Sequence, residues 1–289
     1  MHALGMSVLG SGRQSESSHN PRGDQAGCEA LPTYGRRDEA GDCGVRVAIA
    51  GLAGYGVVVY VLLSSTPLGW LDALFLGGII ELLPVFAVLQ LDVARDLTVE
   101  RPSAYAASAM TITFLAVASL ALGSSLVGLE AMGVRIEPGR VAHVVSWGVG
   151  TFALGMGTLW LFLVVRKRGG WSESRLVQDL MPVTRREKGL YAGLSICAGF
   201  GEELAYRAYA IPVVIMASGS TAVALAITSA AFAVLHSYQG ALGVVRTGVV
   251  GVIMGAVFLH TGSVWPPIVA HVLIDLAVGF VLADRGLLS

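Results

Sequence analysis

Charge is scarce in this 289-residue chain: Asp, Glu, Lys and Arg make up 13% of it, against 54% hydrophobic residues. Soluble domains carry about twice that charged share, so an ordinary soluble globular protein is excluded. Eleven of the charged residues crowd into the first 46 positions, which leaves the rest of the chain poorer still. With a net charge of -1 and no basic cluster outside two short loops, the chain has no concentrated positive face for phosphates. Nucleic acid is thereby excluded as the main partner. Cysteine is scarce too: Cys28, Cys43 and Cys197 are too few and too scattered for a disulfide framework or a CxxC metal site.

What the chain has instead is long apolar runs. Residues 1–44 are rich in Gly, Ser, Arg and Asp and keep no helical or strand period, the composition of a disordered tail. Its first residues lack a basic n-region and a long apolar h-region, so a cleaved signal peptide is not expected. Beyond the tail, eight runs approach the roughly 20 residues that a helix needs to cross hydrocarbon. They cover about 47–63, 71–91, 104–129, 141–165, 189–216, 221–236, 240–259 and 264–283, the sixth being short. The expected fold is an all-α, polytopic membrane bundle: a 1–44 tail, four helices and a basic loop over 45–188, and a catalytic core over 189–289.

Orientation follows from Lys and Arg, which cytoplasmic loops retain. With the N-terminus inside, 15 of the 19 basic residues fall on the cytoplasmic side and two, Arg135 and Arg140, fall outside. Both termini are expected in the cytoplasm, and the plasma membrane is the expected location. The basic stretch 171–188 reads either as an amphipathic element along the inner interface or as a solvated loop.

Ionisable groups at membrane depth are costly, about 2.5 to 3.5 kcal/mol each on insertion scales. Most lie in the last four runs: Glu202, Glu203, Arg207, His236, Arg246, His271 and Asp275. Glu203 and Arg207, four apart, share a helix face and form either an internal ion pair or part of the chemistry; Glu202 points away from Arg207 and has no local partner. His271 and Asp275 are also four apart, so that a carboxylate can accept from one imidazole nitrogen and aim the other. Each alone could be a satisfied core polar group; together with Glu202 and His236 they point to a site.

These residues fall into three motifs on successive hydrophobic segments: Glu202-Glu203-x-x-x-Arg207, Phe232-x-x-x-His236 and His271-x-x-x-Asp275. The pattern resembles the CAAX-protease and bacteriocin-processing (CPBP, or Abi) intramembrane endopeptidases over residues 189–283, and eight spans suit the CAAX-processing members. The resemblance implies a glutamate-dependent peptidase in which Glu202 with His236 activates water, while His271 with residue 275 stabilises the oxyanion. Glu203, Arg207 and Phe232 support the site. The best-known CAAX proteases carry Asn where this chain has Asp275, and an ionised carboxylate would repel an oxyanion. Either Asp275 orients His271, or it is protonated, or it does not carry that role.

The expected partners are the bilayer and a peptide or membrane-associated protein substrate. No cofactor is expected, with zinc on His236, His271 and a carboxylate as the alternative; the HExxH spacing is absent. Two other functions fit the residues: a proton- or cation-coupled transporter, which lacks visible inverted repeats, and a catalytically idle scaffold or immunity protein.

Overall fold

A computed structural model of the protein describes residues 34–96 and 99–282. All regular structure among them is helical. Helix α1 is Tyr34–Ser65. Helix α2 covers 70–96 as Trp70–Gly77, a π turn Gly78–Leu82 and Leu83–Asp96. Then come α3 (Arg101–Leu126), α4 (Val141–Gly169) and the short α5 (Arg175–Leu180). Helix α6 covers 185–218 as Arg185–Glu203, a π turn Leu204–Ala210 and Ile211–Ser218. Helices α7 (Thr221–Leu235) and α8 (Gly240–Thr261) follow, and α9 covers 265–282, ending in a π turn, Val278–Leu282.

The protein is a multi-pass membrane protein. Five stretches, Val47–Ser65, Trp70–Leu91, Arg101–Leu126, Pro138–Gly169 and Ser237–Thr261, are long and apolar enough to cross a membrane, and Thr221–Leu235 and Trp265–Val281 are shorter apolar helices. The remaining run lies in α6, whose start is charged. Met110, Phe114 and Trp160 stay largely exposed, as side chains facing hydrocarbon do. Of the expected 1–44 tail, residues 1–33 lie outside the described residues, and α1 begins at Tyr34, before the apolar run. A formed helix extends by adding one hydrogen bond per residue, so its end need not coincide with the end of the hydrophobic pattern.

Both π turns inside long helices stand next to a proline, Pro84 in α2 and Pro212 in α6. Proline lacks an N–H and its ring crowds the carbonyl four residues back. A wider turn just before it is one way to take up that misfit without ending the helix. The two wide turns also bind each other, the Tyr206 hydroxyl donating to the Ile79 carbonyl at 3.1 Å.

Helix α6 starts with a capping box: the Glu187 N–H donates to Thr184 Oγ1, and Thr184 N–H donates back to Glu187 Oε2. The backbone N–H groups of Thr184 and Val183 hold the Glu187 carboxyl below its ordinary range. Further along, a Cβ on Gly201 would stand 2.7 Å from the Ile112 carbonyl of α3, and one on Gly199 would collide with Val272 of α9. The absent side chains let α6 lie between these two helices with Glu202 and Glu203 facing the interior.

Helix α7 is 15 residues long, about 22 Å, and so stops short of a hydrocarbon core of about 30 Å. The turn after it, Ser237–Gln239, lines a cavity with Tyr238 and Gln239. The volume of this cavity is about 430 Å³.

Candidate active site

The cavity collects residues from both halves of the chain. Glu202 of α6, Phe232 of α7, His236 just past it, and His271 and Asp275 of α9 line it, together with Tyr105 of α3, Leu159 of α4 and Leu180 of α5. The expected core over 189–289 thus forms only part of the wall.

His236 is aimed by its own helix. The last turn of α7 leaves the Phe232 carbonyl free of a helical partner, and His236 Nδ1 lies 2.7 Å from it. Only a protonated Nδ1 can bond a carbonyl, so in the neutral ring Nε2 is an open acceptor. That nitrogen faces Glu202 Oε2 at 3.9 Å.

His271 is held differently from the expectation. Its Nδ1 lies 2.8 Å from Glu203 Oε1, an oxygen that also accepts from Arg207 Nη1 at 2.8 Å. The orienting carboxylate is therefore Glu203, from another helix, rather than Asp275 one turn away. Asp275 Oδ2 instead lies 3.8 Å from Nε2, the nitrogen that is also 3.8 Å from Glu202 Oε2. The physical reason is reach: Nδ1 points across the interface to α6, and the four-residue spacing leaves Asp275 beside the far side of the ring. Glu203 and Arg207 are an ion pair, as their spacing suggested, and are 0% and 2% exposed. Arg207 Nη2 also donates to the Gly251 carbonyl of α8.

Phe232 wedges these groups apart. The Arg207 guanidinium lies 4.4 Å from its ring centre, His236 packs on it at 4.6 Å, and Tyr206 and His271 meet it edge to face. Glu202 Oε2 is buried without a hydrogen-bond partner among the described residues. Its distances to the two histidines are too long for direct hydrogen bonds and suit a bridging water or reacting group.

Residues 188–277 match the family model "Type II CAAX prenyl endopeptidase Rce1-like". The Rce1-like stretch contains all seven expected site residues, and it agrees with the resemblance that the three motifs carry. No curated protein and no solved structure matches the chain. The family match covers less than a third of the chain and gives what that stretch is similar to. As for zinc, no group of three His, Cys, Asp or Glu among the described residues is arranged to hold a metal ion.

Sequence reasoning missed several features around the Rce1-like stretch. Within the basic stretch 171–188, part of the chain packs inward while Trp171, Arg175 and Val183 stay exposed. It folds over the cavity, with Val177, Leu180 and Met181 in the wall. Tyr105 donates to the Leu180 carbonyl and Arg101 to the Asp179 carbonyl, each at 2.7 Å. Its Glu173 is buried between Arg166 and Arg246. Two acids in the second run also went unremarked: Asp72, which accepts from Tyr209, and Glu81 in the π turn of α2. An apolar segment with two acids in it was the available signal.

Proposed function

We propose that the protein is an intramembrane endopeptidase that hydrolyses a peptide bond of a peptide or membrane-associated protein, with Glu202 and His236 activating the water. The observation that carries this reading is the unpartnered Glu202 Oε2, which faces Nε2 of His236 at 3.9 Å and of His271 at 3.8 Å.

Water between Glu202 and His236 gives up a proton as its oxygen adds to the peptide carbonyl carbon, and the carbonyl electrons move onto oxygen. His271 faces that oxygen through Nε2. With Nδ1–H donated to Glu203, an Nε2–H requires the imidazolium. Collapse of the intermediate breaks the C–N bond, and the proton taken from water passes to the leaving amine. No metal takes part. The 166–188 loop and both termini face the cytoplasm, on the strength of the Lys and Arg distribution.

The test compares membrane fractions of cells expressing the protein with those expressing Glu202→Gln, by mass spectrometry of peptide termini. New termini on membrane-associated proteins are expected only with Glu202 intact. Identical terminus profiles at equal expression would overturn the reading.

A further inference from the structure

Asp275 brings no donor to the chemistry above when it is ionised. The oxygen of a tetrahedral intermediate accepts more than one hydrogen bond, and a carboxylate has none to give. Several nearby donors are committed elsewhere. Arg207 is bound to Glu203 and to the Gly251 carbonyl, and His236 Nδ1 to the Phe232 carbonyl. Tyr105, Tyr191, Ser195 and Thr247 also line the cavity, but their hydroxyls donate to protein acceptors.

Tyr238 differs from these. It lines the same cavity just beyond His236, with the two ring centres 5.8 Å apart. The role of its hydroxyl follows from its neighbour Gln239, whose Oε1 accepts from Arg246 Nη2 at 2.9 Å and from Thr247 Oγ1 at 3.0 Å. A guanidinium only donates, so the amide oxygen is fixed on that side, and Gln239 Nε2 donates to the Tyr238 hydroxyl at 3.4 Å. The phenol is thus the acceptor in that bond, and no acceptor among the described residues takes its own hydrogen. The charges of Glu202 on α6, Asp275 on α9 and Arg246 on α8 reach it, and His236 and Tyr191 are its titratable neighbours. An uncommitted neutral donor therefore stands at the wall that carries the reacting carboxylate.

We propose that Tyr238 is a further catalytic residue, a neutral hydrogen-bond donor to the oxygen of the tetrahedral intermediate, acting beside His271. This rests on the peptidase reading. The phenol keeps its proton throughout: its bond shortens as charge gathers on the carbonyl oxygen, and relaxes when that oxygen re-forms the double bond and the C–N bond breaks. A free phenol ionises only near about pH 10, so the donor is present at neutral pH without adding a charge to the cavity. Its contribution does not depend on the protonation of His271.

The test uses the full-length protein in detergent and a quenched fluorescent peptide that spans a cleavage site dependent on Glu202. Tyr238→Phe keeps the ring and removes the donor; kcat is expected to fall by about 10²- to 10³-fold with KM within about threefold of the parent and Tm unchanged. Replacing Tyr238 by a ring-fluorinated tyrosine makes the phenol more acidic in nearly the same shape, and carries the test where the Phe variant does not fold. The alkaline limb of the kcat profile should then move down by about one pH unit or more, which a ring that only fills space would not cause. Parent-like kcat in Tyr238→Phe, a loss that merely follows a fall in Tm, or an unmoved alkaline limb in the fluorinated protein overturns the proposal. Glu202→Gln is measured alongside: cleavage lost there but kept in Tyr238→Phe removes the donor and leaves the peptidase reading, whereas cleavage unchanged in Glu202→Gln removes both.

Discussion

His271 is bound to Glu203 across a helix interface, Nδ1 to Oε1 at 2.8 Å, on the same oxygen that receives Arg207. Adjacent glutamates thus have separate surroundings: Glu203 holds two cationic or donor groups, and Glu202 faces the cavity. Glu202→Gln is expected to lower kcat by about 10²- to 10⁴-fold, the usual worth of a general base, with Tm unchanged. Glu203→Gln leaves Arg207 buried without its counter-ion, at a cost of about 3 kcal/mol or more, and also slackens His271. Its Tm should fall and its activity drop together. Matching Tm and activity in the two variants would contradict the division.

Asp275 lies beside the His271 nitrogen that faces Glu202, not beside the one that fixes the ring. Asp275→Asn removes a negative charge next to a developing oxyanion and leaves the orienting bond intact. We expect kcat/KM to stay within about tenfold of the parent, less than the loss of an oxyanion donor causes. A loss beyond about 100-fold in a folded variant would mean that the carboxylate itself takes part.

Activity of the detergent-solubilised protein should survive dialysis against a strong chelator, with metal content measured on the same sample. Stoichiometric zinc, activity lost on its removal and regained on its return would replace the water-activation scheme with a metal-based one.

Sidedness can be read by placing single cysteines in a variant with Cys28, Cys43 and Cys197 changed to Ser. Arg168→Cys and Glu137→Cys put thiols at exposed positions on opposite ends of the bundle. An impermeant maleimide added to intact cells should label the second and spare the first. The reverse pattern would invert the orientation.

The sequence exposes what a single helix decides. The four-residue spacing of Glu203 and Arg207 put them on one face, and the run lengths were enough to show an all-α polytopic bundle. What lies between helices was not legible. Nothing in the His271-x-x-x-Asp275 spacing shows that the ring would turn towards α6, because that depends on how closely Gly199 lets α9 approach. The inward packing of the 171–184 segment was not legible either, because the buried Glu173 that ties it down pairs with Arg166 at the end of α4 and with Arg246 of α8, 73 residues away. The prolines at 84 and 212 were visible, but the wide turns that accommodate them could not be placed without the backbone.

The cavity lies beside the turn that ends α7 and is lined there by Tyr238 and Gln239. Beyond it lies a packed apolar cluster that includes Met132, Val264 and Ile268. A reaction at Glu202 would draw its water and release its polar product through one face only. The dry far half would then act as electrical insulation: proteolysis at this depth would open no conducting path, and the membrane would keep its voltage while its proteins are cut.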